Sequence, residues 1–223
     1  MDMESPLLRL PSEIRGQILE YVLPTTTRIP SKHDANGLVW LRGHNAVLAT
    51  CRQLHEEGAA IIYGQNTFVI EVSYDRISFR FRWLLPANCN LAPNRAFSFL
   101  DHFSQRNIQR IKNYYIKIDH VDSYTGMIKF NCGGRGLTDG LREKVRQLMT
   151  VLRCAGELNR VEVRFVDSSK RPRDTQVVLE PLLVLREVRR ARVRGDVMAE
   201  FGEHVERKMS MTAEQRRAEQ VVV

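Results

Sequence analysis

The sequence predicts an α+β chain: a helical module over residues 7–70, a mixed α/β region over 71–195 with a small sheet and helices on one face, and a charged helical tail over 196–223. Three observations predict it. Ile14, Ile18 and Val22 recur at the spacing of one helix face, as do Val47, Leu48, Cys51, Leu54, Gly58, Ile61 and Ile62. Ile77, Phe79, Phe81 and Trp83 alternate strictly with Ser78, Arg80 and Arg82, the period of a strand. Strand-like runs near residues 115, 163 and 192 are each separated by helix-bearing connections, which favours parallel pairing. At 223 residues and 43% hydrophobic, the chain can build one sizeable core or a small module fused to a larger one.

Leu10-Pro11-Ser12-Glu13-Ile14-Arg15 opens the first helix. Proline lacks the amide hydrogen that a first helical turn leaves unsatisfied, and Glu13 suits the positive N-terminal end. Pro24 closes it. The second helix is predicted from Asn45 as a cap to Gly64 as a stop, with the first helix burying its Ile14 stripe against it or against a third element. Between them, Thr25 to His44 reads as a long inserted loop in which Leu38-Val39-Trp40-Leu41 folds back on the helices.

Thr67 to Val72 has the β-branched and aromatic content of a strand, and Asp75-Arg76 is a turn. The alternating Ile77 run then either closes a hairpin or stands as an isolated edge strand. After a Pro/Asn-rich joint from Pro86 to Asn94, Phe97, Leu100 and Phe103 are expected as the core face of a short helix. Tyr114 to Ile118 forms a strand, Cys132 to Gly136 a flexible turn, and Thr138 caps a helix carrying Leu141, Val145, Leu148, Met149 and Leu152 on one face. Val161 to Val166 is the next strand, Leu179 to Arg190 a short apolar helix, and Ala191 to Arg194 a further strand. In the tail, Val197, Phe201, Val205 and Met209 make an apolar line, and Thr212 with Gln215 has capping-box spacing.

Composition and motifs narrow the function classes. The start is acidic and its apolar run is only Leu7 and Leu8, so no signal peptide or membrane span is expected, and the cytosol or nucleus is the expected location. Cys51, Cys89, Cys132 and Cys154 have no C-x-x-C pair and read as reduced thiols, Cys51 as a small buried hydrophobe within its helix. His33, His44, His55, His102, His120 and His204 form no metal-ligand spacing and read as solvated or helix-end residues. Neither a G-K-[ST] phosphate loop nor a G-x-S-x-G elbow occurs, so no catalytic residue, metal or cofactor is assigned.

Charge is uneven. Residues 1–100 carry ten Lys/Arg against nine Asp/Glu, and residues 101–223 carry 24 against 17. Arg186, Arg189, Arg190, Arg192 and Arg194 form the densest basic run, with Arg190, Arg192 and Arg194 on one face of an extended segment. That run is read as a solvated, charge-protected sheet edge, with a phosphate-backbone strip as the competing reading and weak, sequence-blind attraction to nucleic acid as its consequence.

Leu10, Pro11, Glu13, Ile14 and Arg15, followed by Thr50, Cys51, Arg52, Glu57, Tyr63, Gly64, Asn66 and Phe68, resemble the pattern of fungal F-box-like proteins. The resemblance is specific over about 60 residues and loose over the next hundred. It implies a non-enzymatic interaction adaptor, docking a Skp-type adaptor of cullin ubiquitin ligases and holding an unidentified protein substrate through its C-terminal region. The partner-binding residues it implies are Leu10, Pro11, Ile14, Ile18, Leu48 and Cys51. The chain departs from the pattern in having Leu54 and His55 where a tryptophan is common, and in the insertion at Thr25 to His44. On physical grounds alone, the Leu10, Pro11, Ile14 and Ile18 surface equally suits intramolecular core. The other functional reading is a basic nucleic-acid-associated protein acting through its arginine-rich second half.

Overall fold

The computed structural model describes residues 5–29, 37–85, 91–121, 135–168, 176–212 and 215. The chain divides into two compact units, one comprising residues 1–67 and 81–95 and the other residues 68–80 and 96–223.

The first unit contains helix α1 (Ser12–Val22), strands β1 (Thr25–Arg28) and β2 (Leu38–Leu41), a 3-10 turn (Asn45–Ala49) and helix α2 (Arg52–Gln65). Pro11 precedes α1 as its cap, and its carbonyl accepts from the Ile14 and Arg15 amides at 3.1 and 3.0 Å. The segment expected as a loop instead pairs antiparallel, with Thr25 opposite Leu41 and Arg28 opposite Leu38. Val39 and Trp40 are buried, and Trp40 meets Trp83 edge-on with ring centroids 6.3 Å apart.

The second predicted helix is two pieces. Thr50 Oγ1 donates to the Val47 carbonyl at 2.7 Å, closing the 3-10 turn, and Cys51 is fully extended at φ −156°, ψ 164° before α2 starts. Cys51 therefore precedes the helix rather than lying inside it. Gly64 does not stop α2; the helix runs on to Gln65, and Asn66 ends it. The buried Asn66 side chain uses both its donor and acceptor capacity. Nδ2 donates to the carbonyls of Ile62 (2.9 Å) and Pro24 (3.2 Å), while Oδ1 accepts from the Thr26 amide (2.6 Å). One amide thus satisfies the helix end and fixes it to β1.

The second unit is built on a six-stranded sheet in the order β5-β4-β3-β6-β7-β8, where β3 is Thr67–Val72, β4 Ile77–Phe81, β5 Arg95–Ser98, β6 Asn113–His120, β7 Arg160–Asp167 and β8 Arg190–Gly195. β3 and β4 form the hairpin, with the Ser73 amide donating to the Arg76 carbonyl at 3.0 Å and Ser73 Oγ to Asp75 Oδ1 at 2.7 Å across the turn. β6, β7 and β8 are parallel neighbours, as their helix-bearing connections require, with Tyr114 beside Val161 and Val161 beside Ala191.

Alternation assigns the two faces of this parallel part. Tyr114, Ile116, Ile118, Val161, Val163, Phe165 and Val193 are buried, together with Leu141, Val145, Leu148, Met149 and Leu152 of helix α5 (Arg135–Arg153). A 3-10 segment (Gln176–Val184) and helix α6 (Ala199–Ser210) contribute Val178, Leu179, Leu182, Val205 and Met209 to the same core. The apolar helix expected over Leu179 to Arg190 is this earlier, tighter segment, whose Pro181 cannot supply an α-helical amide hydrogen.

Two further expectations are corrected. Phe97 and Leu100 are exposed, because the predicted short helix is divided between β5 and helix α3 (Phe99–His102); it is Phe99 that is wholly buried, against Phe103 and Tyr114. Thr138 is not a cap, since α5 begins at Arg135. A further short helix, α4 (Gln105–Arg110), is capped by Ser104, whose Oγ accepts from the Asn107 amide at 3.3 Å. Thr212 and Gln215 do form the reciprocal capping pair, at 3.0 and 3.3 Å. Cys132 to Gly134, part of the predicted glycine-rich turn, lies outside the described residues. Cys51 and Cys154 are free thiols.

Candidate functional site

Helix α1 presents two lines of side chains, and the inward one was not the expected one. Arg15, Leu19 and Leu23 are buried, with Leu19 and Leu23 packing with Leu54 of α2 in a cluster that Leu7, Leu8, Val47, Leu48, Cys51, Ile61 and Ile62 surround. Of the predicted stripe, Ile14 and Ile18 turn outward, at 42% and 37% exposed, while Val22 is half-buried; the outward line continues instead through Tyr21, 93% exposed. Ile14, Ile18 and Tyr21 stand at i, i+4 and i+7, a single continuous line on the helix surface, with exposed Pro11 one turn before it.

What inverts the helix is Arg15. Its Nε and Nη2 donate to Oε2 and Oε1 of Glu57 on α2 at 3.0 and 2.7 Å. Its Nη1 donates to the carbonyls of Leu8, at 3.3 Å, and Leu10. A two-pronged guanidinium–carboxylate pair is the arrangement that fits Arg best, and here it also satisfies the chain entering α1. Gln53 Nε2 adds a third donor to Glu57 at 3.0 Å.

These bonds hold the Glu57 carboxyl below the usual carboxylate range, the Arg15 hydrogen bond being the largest cause. A depressed carboxyl pKa stabilises the folded state fully above the unfolded value, near 4.5, and loses that stabilisation as the pH falls through the folded value. The first unit is therefore expected to weaken on acidification below about pH 4.5. Denaturant titrations at about pH 6 and about pH 3 should show a smaller pH-dependent fall in midpoint for Glu57→Gln than for the parent chain. Equal falls would remove Glu57 as the cause.

The six residues expected to bind a partner are therefore not one surface. Pro11, Ile14 and Ile18 are exposed, Leu10 is half-buried beside the carbonyl held by Arg15, and Leu48 and Cys51 pack against the inner cluster. Tyr21 was missed, although its i+7 spacing from Ile14 was visible in the sequence.

The basic run is also redistributed. Arg190, Arg192 and Arg194 are exposed on the sheet face opposite the helices, but Arg186 turns to the carbonyls of Leu183 and Leu185, and Arg189 faces Glu157 at 4.0 Å. Parallel register places Arg160, Glu162 and Arg164 beside Arg190, Arg192 and Arg194, and Lys117 beside Arg164.

His120 is a further correction: it is buried rather than solvated. Its Nδ1 lies 3.0 Å from Asp167 Oδ1 and its Nε2 2.9 Å from Thr138 Oγ1, with the His120 and Asp167 side chains 2% and 1% exposed. A carboxylate only accepts, so in the neutral ring Nδ1 donates to Asp167 and Nε2 accepts the Thr138 hydroxyl. The chain of three ties the ends of β6 and β7 to the first turn of α5. Among the described residues, no three His, Cys, Asp or Glu side chains are grouped to hold a metal ion, and no helix is long and apolar enough to cross a membrane.

Comparison with family models, curated proteins and solved structures gives no match.

Proposed function

We propose that the chain is a non-enzymatic interaction adaptor of the F-box-like kind, docking a Skp-type cullin adaptor through α1 and holding a protein substrate with its second unit. The observation that carries this is the outward line of Ile14, Ile18 and Tyr21 on a helix that Arg15 and Glu57 clamp in place. Apolar anchors at i, i+4 and i+7 are what a helix inserts into a partner's groove, and a clamped helix surrenders little freedom on binding. The motif residues divide the work: Arg15, Glu57 and Asn66 build the module, leaving Ile14 and Ile18 available to a partner.

The test is capture of the Skp-type adaptor by the immobilised full chain from nuclease-treated cell extract. Adaptor retained on the parent chain is the expected result. Loss of every partner on nuclease treatment would contradict the reading and favour a nucleic-acid-associated protein.

A further inference from the structure

The open face of β6, β7 and β8 carries a two-dimensional array of cations that the linear sequence disguises. Lys117 and Asp119 lie on β6, Arg160, Glu162 and Arg164 on β7, and Arg190, Arg192 and Arg194 on β8. Lys117 pairs with Asp119 at 2.8 Å and Arg160 with Glu162 at 2.8 Å. Among the described residues no acid pairs with Arg164, Arg190, Arg192 or Arg194. Strand geometry spaces the arginines by about 6.7 Å along β8 and by about 4.8 Å between strands. At the start of β7 and β8, Arg160, Arg189, Arg190 and Arg192 line a recess of about 300 Å³, with Glu162 as its acid.

We infer that this face binds the phosphate backbone of a single-stranded nucleic acid. Four guanidinium groups with no acid partner among the described residues, set in a flat array, match a flexible chain with one negative charge on each unit, and each planar fork can hold two phosphate oxygens. The chain's net charge of +8 draws polyanions towards it. An acidic peptide adding to the sheet as a further strand is disfavoured, because β8 is the end strand and its Val193 amide already donates to Glu206 Oε1 of α6 at 2.6 Å. Such a peptide would have to bind by its carboxylates alone. The aromatic residue on this face, Tyr115, is buried, so base stacking is not offered among the described residues, and binding is blind to sequence.

The array makes a prediction that the basic run does not: Arg164, which lies outside the run, contributes, and Arg186, which lies inside it, does not. The experiment is fluorescence anisotropy of the full chain with a labelled mixed-sequence single-stranded DNA oligonucleotide across a salt series. Four phosphate contacts predict a log–log salt slope of about −3, and each of Arg164→Gln, Arg192→Gln and Arg194→Gln should reduce its magnitude by about 0.7. Arg186→Gln should leave the slope unchanged. An unchanged slope in the Arg164→Gln/Arg192→Gln/Arg194→Gln variant would overturn the inference, as would equal competition by polyglutamate of matched charge, which would mark an acidic-protein surface instead. These outcomes are independent of adaptor docking.

Discussion

Leu19→Asp is expected to unfold the first unit, whereas Ile18→Asp, one residue earlier on the same helix, is expected to leave it folded. Leu19 is 0% exposed and packs with Leu23 and Leu54. Removing its side chain costs about 2–5 kcal/mol in lost packing. The new carboxyl must also be buried unpaired, or protonated through a pKa raised by as much as about 3–5 units. Together these match the whole stability of a typical domain, about 5–15 kcal/mol. At exposed Ile18 the cost stays within about 1 kcal/mol, as for other surface substitutions. The two tryptophans of the chain, Trp40 and Trp83, both lie in this unit, so their emission reports its folding within the full protein. Unchanged tryptophan emission in Leu19→Asp, or loss of folded emission in Ile18→Asp, would reverse the assignment of inner and outer faces.

The second large effect is at the end of β8. Gly195 has φ +105°, and a Cβ there would meet the Phe165 carbonyl oxygen at 1.9 Å. That oxygen accepts the Asp196 amide at 3.0 Å, and the Asp196 carboxylate in turn accepts the Asp167 amide at 2.9 Å. Gly195→Ala therefore combines a backbone strained for any L side chain with a clash against backbone that cannot yield cheaply. The expected loss is about 2–5 kcal/mol, with early hydrogen exchange at the β8 amides. Gly16→Ala is the contrasting substitution: nothing lies within 4 Å of its added Cβ on α1, and it should stabilise by about 0.5–1 kcal/mol. A neutral Gly195→Ala in urea denaturation would show that the chain turns differently after β8.

The parallel strands and the buried face of α5 were legible because their patterns are local and complete. Val161, Val163 and Phe165 alternate, and Leu141, Val145, Leu148 and Leu152 hold helical spacing over three turns. The inward face of α1 was not legible, since periodicity weighs Ile14 and Ile18 above Arg15. Arginine is buried there because Glu57 lies opposite, 42 residues later, and local pattern carries no information about that partner. The same limit hid the β1–β2 hairpin, whose Thr25–Arg28 strand shows no apolar alternation of its own. It also hid Arg164, which joins Arg192 and Arg194 only once the parallel register is set. The positive φ of Gly195 was not legible either, being a property of the turn back towards α6.

The proposed function depends most heavily on α1 as a docking helix. Calorimetric titration of a purified Skp-type adaptor into the full chain tests this directly, with the Ile14→Asp/Ile18→Asp variant alongside and tryptophan emission as the check on folding. Binding by the parent chain, weakened by at least about 30-fold in a variant with unchanged emission, is the predicted result, since loss of even one central apolar anchor costs about 2 kcal/mol. No heat of binding with the parent chain, or equal affinity in the folded variant, would contradict it.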